Sequence, residues 1–357
     1  MADKAQNLVK KLQSSISKKA EGLPQINLME VCGTHTMSIA RFGIRKLLPK
    51  NIKLISGPGC PVCVTPNETI DKMIALTKIP NLTIATFGDM MRVPGSTSSL
   101  IKEKANGADI EIVYSPLDAI KIAKKSKKEV VFLGIGFETT TPTTAATIIR
   151  AEEMALANFS ILCAHKNMPG ALDLIANDDK VQVSGLILPG HVSTITGLSI
   201  YEFLAKKYNL PGVVSGFEAA DIMQAIDMLV TQIKNGEAKI ENAYPRGVRD
   251  EGNQTALDLI NEVFETCDSN WRGLGSIASS GYKIRRKYSA FDAEYKFNIK
   301  VEPTKENKAC KCGSVLKGII QPTDCPLFGK TCNPENPIGP CMVSNEGSCS
   351  AHFKYQD

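Results

Sequence analysis

Eleven cysteines run through this 357-residue chain, and three groups of them have types and spacing suited to chemistry. Cys32 opens the run Cys-Gly-Thr-His, with His35 and Thr36 close behind. The thiolate is the form of cysteine that attacks carbon or binds metal, and a nearby imidazolium favours it. A nucleophile or metal ligand is one reading of this pair; a buried cysteine beside a hydrogen-bonded core histidine is the equally open alternative. Cys60 and Cys63 form a C-x-x-C inside Gly-Pro-Gly-Cys-Pro-Val-Cys. That spacing serves redox dithiols and also half-sites for zinc.

The third group is Cys310, Cys312, Cys325, Cys332, Cys341 and Cys349. They sit among turn-forming residues too poor in periodic apolar sequence to bury a core, so the segment needs a staple. Disulfides require an oxidising compartment. Zinc sites usually pair their ligands at C-x2-4-C, and Cys310-Lys-Cys312 is too tight for that. Iron-sulfur clusters take four thiolates, and Cys310, Cys325, Cys332 and Cys349 offer them as C-x14-C-x6-C-x16-C, which makes a cluster the preferred reading over zinc. Cys312 and Cys341 fall outside that pattern, as a second dithiol or, preferably, as accidental neighbours. Cys163 and Cys267 lie in apolar or helical surroundings and read as structural.

Residues 4–20 carry Leu8, Val9, Leu12 and Ile16 on one stripe, an amphipathic helix. Short β-branched runs then alternate with helical stretches, at 26–31, 52–56, 82–87, 110–115, 129–136, 159–164, 185–190 and 212–216. This alternation predicts α/β architecture with largely parallel sheets. The unusual residues cluster just after these runs, in CGTHTMSI, GPGCPVC, GDMMRVPGS, IGFETTTP, GHVSTITG and SGFEAAD. Ligands of open α/β sheets bind beyond the carboxyl ends of strands, so these loops are expected to line a crevice. Asp89, Glu138, His165 and His191 share that placement and are candidates for proton transfer or for bracing loops and capping helices. The run IGFETTTP lacks the third glycine of a dinucleotide fingerprint, which argues against nucleotide binding.

A weak internal repeat aligns the segment from Gly33 to Gly57 with that from Pro189 to Gly216, matching His35 to His191. Gly88 and Pro94 are also spaced like Gly136 and Pro142. The expectation is two similar parallel-sheet α/β domains, at 24–120 and 121–238, facing a central cleft. A cysteine-rich iron-sulfur domain, 239–357, follows and is joined by the N-terminal helix 1–23.

Composition narrows the class. A net charge of +5 over 42 basic and 37 acidic residues is mild. The one basic cluster, residues 121–128, reads as the solvated end of a helix rather than a nucleic-acid site. The first residues have no continuous apolar segment of a signal peptide, and no run is apolar and long enough to span a bilayer. The expected location is therefore the cytoplasm, where cysteines serve as metal ligands or reactive thiols.

Taken together, CGTH, GPGCPVC, TFGDMMRVPGS, GFETTTP, PGHVSTITG and the spaced tail cysteines resemble the HypD family of hydrogenase maturation factors, over essentially the whole chain. The resemblance implies a scaffold on which the iron of a nickel-iron hydrogenase acquires cyanide and carbon monoxide. It implies Cys32 as a ligand of the Fe(CN)2CO unit, shared with the N-terminal cysteine of a small HypC-type chaperone. It also implies a HypE-type protein as cyanide donor, the hydrogenase large subunit as eventual recipient, and a 4Fe-4S cluster on Cys310, Cys325, Cys332 and Cys349. Within that scheme His35 and Thr36 would hydrogen-bond ligands on the iron, and Cys60 and Cys63 would store electrons. The competing expectations are a stand-alone thiol-disulfide reductase fed by the cluster, and a metabolic α/β enzyme with a zinc-stiffened tail.

Overall fold

The computed structural model describes residues 2–355. Its strands are β1 (Ile26–Glu30), β2 (Ile52–Ser56), β3 (Leu82–Thr86), β4 (Ile110–Ile112), β5 (Glu129–Gly134), β6 (Phe159–Cys163), β7 (Gly185–Pro189), β8 (Gly212–Ser215), β9 (Ile240–Asn242), β10 (Phe264–Trp271) and β11 (Gly275–Ile284). The eight β-branched runs predicted from sequence are the first eight of these. Two parallel sheets result, ordered β2-β1-β7-β8-β9 and β4-β3-β5-β6. Strands such as β3 and β7 are buried along their whole length, as sheets covered on both faces require. Among the described residues no helix is long and apolar enough to cross a membrane.

Strand pairing does not follow the expected halves. The chain lays down β1 and β2, leaves to build the whole second sheet, and returns to add β7, β8 and β9 beside β1. The boundary expected at residue 120 falls inside helix Pro116–Lys125, which packs on β5 and on helix Thr141–Glu153. Alternating strands and helices are a local signal, whereas a strand's neighbour is chosen by contacts far away in sequence.

The internal repeat finds a different explanation for the same reason. Its two copies are β1–β2 and β7–β8, units of one sheet with β1 and β7 side by side at its centre. The glycine–proline match likewise follows β3 and β5, neighbours in the other sheet. The repeat thus relates units within each sheet rather than one domain to the other.

The N-terminal helix Ala2–Ala20 does not join the C-terminal segment. It packs on helix Ala219–Asn235 over the first sheet, burying Leu12, Ile16 and Ala20 with Ile222, Ile226 and Val230. Lys19 Nζ fastens it to Asp227 Oδ2 at 2.7 Å and to Thr231 Oγ1 at 2.8 Å. Nor is 239–357 one unit. β9 edges the first sheet, and helix Gln254–Val263 packs on Thr141–Glu153 of the second. The antiparallel β10–β11 hairpin follows. The cysteine-rich tail then runs irregularly to helix Ser348–Tyr355, which packs against helix Gly33–Arg41.

Candidate functional site

Cys32 ends the segment after β1 and is the N-cap of helix Gly33–Arg41, in extended conformation at φ −147° and ψ 124°. The Gly33 amide donates to the Gly59 carbonyl at 3.0 Å, which draws the C-x-x-C loop against Cys32. A side chain at Gly59 would overlap the backbone of Cys32, so only glycine permits this approach. Cys60 in turn caps the short helix Pro61–Val64, its sulfur accepting from the Cys63 amide at 3.2 Å. Cys60 and Cys63 are buried and bonded as a disulfide, with Cα atoms 5.2 Å apart.

A cavity of about 320 Å³ opens where the carboxyl ends of both sheets meet the tail. The first sheet contributes Cys32, Thr34 and His191 to its lining, the second Phe87, Asp89 and Thr140, and the tail Ser344 and Glu346. Thr34 Oγ1 donates to Glu346 Oε1 at 2.7 Å, and Ser344 Oγ donates to Asp89 Oδ2 at 3.1 Å. Burial, helped by the Glu346 carboxylate, pushes the Cys32 thiol up to about 11, against the pull of the His35 and Thr34 amides. Burial also raises the Glu346 carboxyl, with the Thr34 bond opposing and Asp89 adding. Cys32 is therefore a protonated thiol at neutral pH, and a cation that displaces its proton would convert it to a ligand.

His35 and Thr36 do not line this cavity. His35 Nε2 donates to the Gly216 carbonyl at 2.9 Å, and Nδ1 has no partner among the described residues. Burial lowers the ring's pKa to about 4, so it is neutral. Its ring stacks on Phe217 at 4.9 Å, and His191 stacks on the same Phe217 at 4.0 Å. The histidines matched in the repeat thus share one aromatic support, and His191 is the one that reaches the cavity. Thr36 Oγ1 bonds back to the Cys32 carbonyl at 3.3 Å, a brace for the loop.

Glu138 also lies off the cavity. Its Oε1 accepts from the Met168 amide at 2.9 Å at the start of helix Met168–Ala176. Burial pushes its carboxyl up to about 7. His165 borders a different cavity, together with Cys163 and Cys267. Of the cavity residues, Glu346 was invisible in the sequence: it meets Thr34 from 312 positions away, and no motif links them.

The tail forms a second cysteine centre. All six of its cysteines, the four expected ligands together with Cys312 and Cys341, line one small pocket. The Cys312 and Cys341 sulfurs, both buried and both free, stand 2.9 Å apart. Burial and the surrounding thiols raise Cys349 well above an ordinary cysteine, because several thiolates side by side repel one another. Only a polycationic centre would hold four of them ionised together. Among the described residues no three His, Cys, Asp or Glu side chains stand in a metal-holding arrangement.

Comparison with known proteins gives a consistent result. The HypD family model, described as "Hydrogenase formation hypA family", matches residues 7–356. A hydrogenase maturation factor HypD of Cupriavidus necator is 45% identical over 357 residues, covering 98% of this chain and 94% of its own. The HypD of Rhizobium leguminosarum bv. viciae is 46% identical over 358 residues, covering 98% and 93%. That of Azotobacter vinelandii is 44% identical over 354 residues, covering 97% and 93%.

Proposed function

Because the chain belongs to the HypD family of hydrogenase formation proteins, we propose that it is the scaffold on which the iron of a nickel-iron hydrogenase takes up cyanide and carbon monoxide, with Cys32 as protein ligand. A role in hydrogenase maturation follows from the membership. The observation that carries the finer reading is the Cys32 cavity, which joins a soft ligand, a C-x-x-C loop and the cysteine tail at one place.

The chemistry requires each part. Freeing cyanide from a thiocyanate group takes two electrons, since the sulfur–carbon bond breaks to leave a thiolate and cyanide. Cys60 and Cys63 as a dithiol release two electrons and two protons on closing to the disulfide. The bonded pair is thus the spent form, and it must be reduced again between rounds. A 4Fe-4S cluster on Cys310, Cys325, Cys332 and Cys349 would supply those electrons one at a time. The convergence of all six tail sulfurs in one pocket supports a thiolate-held centre there, and the C-x14-C-x6-C-x16-C spacing favours these four as its ligands. A HypC-type chaperone would complete the iron's coordination at the cavity mouth, and a HypE-type donor would present the thiocyanate.

Infrared spectroscopy of the anaerobically purified protein with its chaperone tests the assignment. Cys32→Ala should abolish the bands of metal-bound cyanide and carbon monoxide while leaving the brown colour of the cluster; bands that persist would overturn it. A cluster-linked thiol-disulfide reductase is the second reading, favoured by the Cys60–Cys63 bond and by the closeness of Cys312 to Cys341. Turnover of disulfide substrates by protein that never shows those bands would select it.

A further inference from the structure

The β10–β11 hairpin turns at 272–274, and its tip lies between the two sulfur centres. On one side the Arg272 amide donates to the Val64 carbonyl at 2.8 Å, one residue beyond Cys63. On the other, Gly273 packs on Gly313 so closely that a side chain on either would overlap the other, immediately next to Cys312. Arg272 is carried in by this contact, and it is buried, at 7% exposure.

A buried guanidinium is costly unless an anion compensates it. The one ion pair of Arg272 among the described residues is with Glu306, which is half-exposed and has Oε1 3.8 Å from Nε, too far for a hydrogen bond. Its Nη1 is buried and has no hydrogen-bond partner among the described residues. The tail thiols feel this charge. The bond to Cys312 and burial push the Cys310 thiol up, and the Arg272 guanidinium pulls it down. The same pull acts on Cys312 and Cys341, beside the thiol–thiol bonds and the burial that set these two. All three sulfurs line the tail pocket, so the uncompensated charge of Arg272 acts on the cysteine centre.

We propose that Arg272 is the counter-cation of the tail centre and raises its reduction potential. This rests on the reading of that centre as a 4Fe-4S cluster. Reduction by a one-electron donor adds one electron, so the cluster with its thiolates becomes one unit more negative. A fixed cation in surroundings of low dielectric stabilises that reduced form more than the oxidised one. The guanidinium keeps its proton at any pH the fold survives, and salt screens a buried charge little. Through its amide the same residue holds the C-x-x-C turn, so Arg272 is a positioning residue for both sulfur centres.

The test is an anaerobic redox titration of the full chain with dithionite, followed by the electron paramagnetic resonance signal of the reduced cluster. Arg272→Met keeps the apolar stem and the backbone amide but removes the charge. Its midpoint should fall by at least roughly 59 mV, a tenfold change in a one-electron equilibrium. Arg272→Lys should restore more than half of that fall, and the difference between native and R272M should persist in about 0.5 M salt. Glu306→Gln removes the exposed partner and leaves the hairpin tip in place, so it tests the charge even where R272M fails to fold. Its midpoint should rise, by roughly threefold in the same equilibrium constant. Equal midpoints for native and R272M, a midpoint for R272K as low as that of R272M, a difference that salt abolishes, or an E306Q midpoint that stays or falls would overturn the proposal. A native chain that binds no cluster would overturn the cluster reading and this proposal with it, whereas a native cluster indifferent to Arg272 overturns the proposal alone.

Discussion

The Cys32 thiol and the Glu138 carboxyl are both set here by burial, and their fates differ through their surroundings. Cys32 keeps its proton because it is buried next to Glu346, yet it faces a cavity through which a cation can arrive. Glu138 is buried, and its Oε2 has no hydrogen-bond partner among the described residues. Its carboxyl is raised to about 7 from 4.5, so the unfolded chain gives up this proton at lower pH than the folded one. Its contribution to stability is present below about 4.5 and is lost as pH rises through about 7, a cost on the order of 3 kcal/mol at the alkaline end. Glu138→Gln keeps an oxygen for the Met168 amide and removes the titration. Thermal unfolding from mildly acidic to mildly alkaline pH should show the native protein losing stability relative to the variant; parallel curves would refute the account. None of this could be read from GFETTTP, where Glu138 looked as well placed for catalysis as Asp89. Only packing separates a cavity residue from a helix brace.

At the scale of elements, most of the strands that were readable are buried on both faces, with the edge strand β4 an exception, and their β-branched runs need no partner to be recognised. The hairpin was not. Its first strand, FETCDSNW, has large apolar residues only at its two ends, and its register is interrupted between Cys267 and Ser269, so no clean alternation survives. The Cys32 loop was readable as a motif because glycines and cysteines crowd there, and the structure shows why Gly59 is among them. Its carbonyl holds the Gly33 amide, and the Cys32 backbone occupies the space a side chain would take. Gly59→Ala must therefore push the two loops apart, at about 1–3 kcal/mol for an overpacked site. We expect the purified variant to keep its tail colour and helical circular dichroism while retaining at least roughly tenfold less iron-cyanide unit. Retention at the native level would show that the close approach does not position Cys32.

For the molecule as a whole, the tail is the clasp that makes one site from two sheets. Ser344 reaches Asp89 after β3, Glu346 reaches Thr34 after β1, and both lie in the short span between Cys341 and Cys349. Helix Ser348–Tyr355 continues the contact along helix Gly33–Arg41, and Lys317 ties the tail to Asp178 at 3.0 Å. Sequence could supply the six cysteines and their need for a staple, but not the place where the stapled segment sits, because long-range contacts leave no local pattern. A tail with so little apolar core draws its rigidity from whatever its cysteines hold. Stripping iron with a chelator should therefore loosen the span carrying Ser344 and Glu346 and admit reagents to Cys32. Iodoacetamide labelling of Cys32 should rise about tenfold, the effect of lowering a local opening free energy by about 1.4 kcal/mol. The far-UV circular dichroism, dominated by two sheets that each have a core shared with neither the other sheet nor the tail, should hardly change. Labelling of Cys32 that stays constant through iron loss would mean that the clasp is held by its hydrogen bonds and helix packing alone, and that the cysteine centre has no mechanical hold on the site it is proposed to serve.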